Sequence, residues 1–75
     1  MPRYFFHLHT ETTLARDSVG MVFRSLEAAV SDAWQARLEY MRDEGIEGDR
    51  AQRRCRFEIT DSARQLVATV PPADN

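Results

Sequence analysis

Ser25-Leu26-Glu27-Ala28-Ala29-Val30-Ser31-Asp32-Ala33-Trp34-Gln35-Ala36-Arg37-Leu38-Glu39-Tyr40-Met41-Arg42-Asp43-Glu44-Gly45 is the stretch that decides the fold. At about 100° per residue, Leu26, Ala29, Val30, Ala33, Tyr40 and Met41 fall on one stripe, with Trp34 at its edge. Glu27, Ser31, Asp32, Gln35, Glu39, Arg42 and Asp43 fall on or toward the other side. Ser25 is a good N-cap, because its hydroxyl can accept from a free first-turn N–H, and Glu27 suits the positive end of the helix. Gly45 supplies the stop. The spacing therefore predicts one amphipathic helix, with Arg37 as the misfit near the centre of its apolar stripe. The expected resolution is a guanidinium snorkelling past a sheet edge, with a carboxylate partner as the alternative.

The segments on either side alternate with the period of strands. Arg3-Tyr4-Phe5-Phe6-His7-Leu8-His9-Thr10 is aromatic-rich and free of Gly and Pro. Side chains alternate faces along a strand, so Tyr4, Phe6 and Leu8 share the face expected to meet the helix. Arg3, Phe5, His7 and His9 share the other. A second strand is expected over about Thr13 to Asp17. The Asp17-Ser18-Val19-Gly20 turn follows, and Met21-Val22-Phe23 runs extended toward the helix. Beyond Gly45 a polar linker to about Gln52 leads to Cys55–Asp61, where Cys55, Phe57 and Ile59 face inward and Arg54, Arg56, Glu58 and Thr60 outward. Asp61-Ser62-Ala63-Arg64 is a hairpin turn, and Gln65–Val70 is the last strand, stopped by Pro71-Pro72. The predicted fold is α+β, two-layered and ββαββ in order, with one helix on an antiparallel sheet of two hairpins. It forms a single domain over residues 1–72, with a frayed tail at 73–75.

At 75 residues the chain buries only roughly 60–65% of its unfolded surface, so the core is thin and association with a second copy is an inexpensive supplement. One cysteine excludes an internal disulfide. The amino terminus lacks the apolar run of a secretion signal and no segment approaches a membrane span, so a cytoplasmic location is expected. A net charge of −2 argues against coating nucleic acid by bulk electrostatics. All ten basic residues are arginine, which reads first as the codon usage of a GC-rich genome and only second as a preference for planar contacts to carboxylate or phosphate.

A single helix covers one sheet face only. The other face is expected to carry Arg3, Phe5, His7 and His9 from the first strand, Arg54 and Arg56 from the third, and Val67 from the fourth. These seven residues form the candidate interaction face. His7 and His9 have a spacing usable by metal ligands, but Cys55, the tempting third ligand, faces inward by parity, and Glu58 or Asp17 would have to serve. No metal and no cofactor is expected. No Gly-rich phosphate loop, nucleophile elbow or zinc-protease helix motif is present, so no catalysis is expected. Phe5 with Val67 would make an apolar patch rimmed by Arg and His, suited to a homodimer or another protein partner, and an edge strand is the other route to self-association. Nucleic acid on an Arg/aromatic sheet face is the alternative.

Met1-Pro2-Arg3-Tyr4-Phe5-Phe6-His7, Arg16-Asp17-x-x-Gly20 and Leu26-Glu27-Ala28-Ala29 together resemble a family of short bacterial proteins classed as a domain of unknown function. The resemblance runs to the closing Leu66-Val67-Ala68-Thr69-Val70-Pro71. It implies a small bacterial, cytoplasmic domain and transfers no catalytic residue. The family's late turn usually has the form Asp-Glu-x-Gly. Arg64 stands at the glycine position here, which implies a looser hairpin.

Overall fold

Ser25 does what its position predicts. Its Oγ accepts from the N–H of Ala28 at 3.1 Å and starts α1 (Leu26–Asp43), an 18-residue helix. Glu44 closes the helix, and Gly45 follows with φ 64°, the left-handed turn that glycine adopts without strain. The structure, a computed structural model, describes residues 1–72; the tail expected at 73–75 lies outside the described residues.

β1 (Arg3–His9) and β4 (Arg56–Thr60) pair antiparallel at the middle of a five-stranded sheet. β5 (Leu66–Val70) pairs with β4 on one side. On the other side β1 has two short partners, β2 (Leu14–Ala15) against Leu8 and His9, and β3 (Met21–Val22) against Arg3 and Tyr4. The second strand expected over Thr13–Asp17 is thus shortened to two residues, and Met21–Val22 forms a strand of its own. α1 packs over β4 and β5.

Parity holds through the core. Leu8, Phe57 and Ile59 are buried with Ala33, Met41 and Val70 beneath the helix, and Tyr4 and Phe6 pack against them. Phe23, entering α1, stacks on Phe6 at 5.6 Å between ring centres, and Phe6 tilts onto Phe57 at 5.8 Å. Aromatic pairs in these arrangements add to plain burial.

Four local features depart from expectation. The polar linker contains a second helix, α2 (Asp49–Arg54), with an acid in its first turn and arginines in its last. Arg54 therefore belongs to a helix and not to the outer strand face. Cys55 is the junction between α2 and β4, fully buried as parity required.

Arg37 does not snorkel. It is buried, its Nε donates to the Cys55 carbonyl at 2.6 Å, and its Nη2 donates to the Gln52 carbonyl at 2.7 Å. Among the described residues no carboxylate ion-pairs with it. Its partner is the carbonyl end of α2, where a cation is favoured and the last C=O groups lack helical donors.

Val67 leaves the outer face. Ile59 pairs with Ala68 while Thr60 pairs with Leu66, so Val67 is the extra residue of a bulge, and it packs against the core cluster.

The last turn is tight. Asp61 Oδ1 accepts from the N–H groups of Ala63 and Gln65, and the Arg64 N–H donates to the Asp61 carbonyl at 3.0 Å. Arg64 sits at φ 64°, in the left-handed region. A side chain there costs about 1–2 kcal/mol, part of which glycine loses again through its freer unfolded chain. Arg64→Gly should raise unfolding stability by about 0.5–1 kcal/mol in urea titrations, and a loss of stability would contradict this account of the turn.

Candidate functional site

The bare face of the sheet is built from cross-strand pairs. Phe5 lies opposite Thr60, His7 opposite Glu58, and His9 opposite Arg56. The Arg16–Ser18 and Asp61–Arg64 turns rise at its flanks, and together these elements enclose a groove of about 630 Å³. Of the seven residues expected on the interaction face, Phe5, His7 and His9 line it. Arg56 stands beside it, reaching Glu58 Oε2 at 3.8 Å, and Arg3 turns to the Val19 carbonyl at 2.9 Å. Arg54 is on α2 and Val67 is on the core side. The lining residues missed by strand parity are Arg16, Asp17, Ser18, Asp61, Ser62 and Arg64, all from turns, which carry no facing signal.

Asp17 organises one flank. Its Oδ2 accepts from the Phe6 N–H at 3.1 Å, in the gap that β2 and β3 leave along β1. Its Oδ1 accepts from the N–H groups of Val19 and Gly20. The side chain thus substitutes for a missing ladder partner and also ties off the turn. Burial alone would raise its carboxyl pKa. The three N–H groups, from Gly20, Phe6 and Val19, with a smaller contribution from the charged form of His7, outweigh that and hold it below the ordinary value.

Gly20 completes the device. It adopts φ 70°, and a Cβ there would lie 2.8 Å from both the Phe5 ring and the Tyr4 carbonyl oxygen. The Arg16-Asp17-x-x-Gly20 motif is accordingly a strand-splicing turn. Gly20→Ala should cost about 2 kcal/mol in a denaturant titration, since it combines left-handed strain with a clash against backbone. A loss within experimental error of zero would show that the turn relaxes freely.

His7, Thr60 and Asp17 meet in an arrangement that superficially matches a nucleophile, a base and an orienting acid. Its hydrogen bonds run the wrong way for that chemistry. His7 Nδ1 accepts from the Asp17 backbone N–H at 3.1 Å, so in the neutral ring Nε2 carries the proton and donates to Thr60 Oγ1 at 3.0 Å. A general base needs a free lone pair at the nitrogen facing the hydroxyl and an acceptor behind the other. The ring instead holds the 16–20 turn against β4.

His9 Nε2 contacts Glu58 Oε1 at 2.6 Å. Among the described residues no three His, Cys, Asp or Glu side chains come together as a metal site. No helix of the described residues is long and apolar enough to cross a membrane.

No curated protein and no solved structure matches the chain significantly. One family model does, over residues 3–73, which takes in all seven strands and helices described above. By that match the chain belongs to the family described as Domain of unknown function (DUF6894).

Proposed function

We propose that this domain is a non-catalytic interaction module and that the groove on its bare sheet face receives oxyanion groups of a partner. The observation that carries this reading is the division of hydrogen-bonding capacity among the charged groups lining the groove. Asp17 is spent on three backbone N–H groups, Asp61 Oδ1 on two, and Glu58 on His9 and Arg56. Arg16 and Arg64, one on each flanking turn, have no ion-pair partner among the described residues. Planar guanidinium groups with unused donors suit carboxylate and phosphate. The apolar pair expected from Phe5 and Val67 does not form, which favours a polar partner here over an apolar one. The nucleic-acid reading is weakened because Arg54 and Arg56 belong to different elements.

Titration with inorganic phosphate and with succinate at fixed ionic strength, followed by backbone amide shifts, tests the proposal. Saturable shifts at residues 16–18 and 60–64, lost in Arg16→Gln with Arg64→Gln, are expected. Shifts that do not saturate, or that centre elsewhere, would refute it.

A further inference from the structure

The two edges of the sheet are managed very differently. On the β2/β3 edge, β1 meets two strands of two residues each, and the Asp17 carboxylate occupies the gap between them. The opposite edge is β5, five residues long and without a charge: Leu66-Val67-Ala68-Thr69-Val70. It pairs with β4 alone. Among the described residues no hydrogen bond from a turn, loop or cap reaches its backbone. This edge lacks the charges and the covering segment that commonly block pairing with another chain, and past the bulge at Val67 the stretch Ala68–Val70 keeps regular register.

The helix above that edge is also unfinished. Asp32 lines a small cavity with Tyr4, Phe6 and Met21, so this flank of α1 faces β1 and β3. Trp34 and Leu38 follow two and six positions later, about 200° and 240° around the helix, on the flank turned away from β1 and β3. Both are large, apolar and exposed, 39% and 53% respectively, and Leu66 at the start of β5 is 58% exposed.

We propose that β5 pairs antiparallel with β5 of a second copy, extending the sheet across a twofold axis, and that Trp34 and Leu38 of the two α1 helices meet above the seam. A second copy is the occupant that both features fit. Antiparallel self-pairing of an uncharged strand sets no like charges opposite one another. The twofold places both helices on the same side of the joined sheet. With strands about 4.8 Å apart and α1 lying over β4 and β5, the helix axes come about 10 Å apart, the ordinary packing distance. The apolar flank is then buried by its own copy. This interface is separate from the groove and goes beyond the reading given for it.

Sedimentation equilibrium at micromolar concentration should give twice the chain mass. Leu38→Glu and Leu66→Lys, both at exposed positions, should each weaken association at least about tenfold while leaving the circular dichroism spectrum folded. Arg16→Gln should leave the mass unchanged, which separates this interface from the groove. A wild-type monomer throughout the micromolar range overturns the proposal, and so does a dimer insensitive to both variants. Should a variant fail to fold, amide exchange of the wild type decides: protection of Leu66–Val70 must rise with protein concentration, and concentration-independent exchange counts as refutation.

Discussion

Asp17→Ala is expected to destabilise the domain by about 3 kcal/mol, measured as the change in unfolding free energy in urea, because three charge-assisted hydrogen bonds vanish together. The Phe6 N–H is the costly one. It lies in a part-buried section of β1 between β2 and β3, and among the described residues its side-chain acceptor is the Asp17 carboxylate. Asp17→Asn, which keeps one acceptor oxygen, should lose less, and the difference between the two substitutions measures the charge. The same carboxylate sets an acid limit. Its pKa is lower folded than its unperturbed value of 3.8, so its contribution is fully present above that value. The contribution falls away as pH drops through the folded pKa. Below pH 4 the stability curve of the wild type should therefore fall more steeply than that of Asp17→Asn. Parallel curves would remove the carboxylate from this account.

Arg37→Leu should cost about 2–3 kcal/mol, despite placing an apolar side chain in an apolar stripe, because it leaves the Cys55 carbonyl without its donor and the Gln52 carbonyl with the Cys55 N–H alone. Arg37→Lys should recover little of this. One ammonium cannot reproduce two separated N–H donors held in a plane, nor the guanidinium stacked 5.8 Å over the Trp34 ring. The loss should be localised: amide exchange of 49–54 should accelerate before that of β4. If exchange rises uniformly, α2 is not held chiefly by this contact.

Much of this architecture was legible in residue order because it follows from short-range periodicity. The Ser25 cap, the stripe of α1 and the Gly45 stop are all local rules, and each occurs where those rules put it. The alternation of β1 and of residues 55–59 likewise assigned Leu8, Cys55, Phe57 and Ile59 to the core. What escaped depends on partners distant in the chain. α2 is six residues long with none buried, so it has no apolar period to detect, and its C-terminal carbonyls are held by a residue from another helix. The bulge that turns Val67 inward is a property of the β4–β5 register, which single-strand parity cannot express. The groove was half visible: Phe5, His7 and His9 lie on a strand, whereas Arg16 and Arg64 come from turns whose direction is set by side-chain caps from Asp17 and Asp61.

The position of Cys55 gives the molecule a chemical clock. Its thiol is fully enclosed at the joint between α2 and β4, and burial pushes its pKa up, with Arg37 offsetting part of that rise. A buried, protonated sulfur does not react, so alkylation must wait for an opening that admits reagent. α2, without a side-chain cap at its start and burying no residue of its own, ends on Cys55, and Arg37 ties the two together through the carbonyls of Gln52 and Cys55. Labelling should then proceed at the frequency with which this joint opens. Faster labelling in Arg37→Leu than in the wild type would measure how tightly Arg37 holds that joint closed.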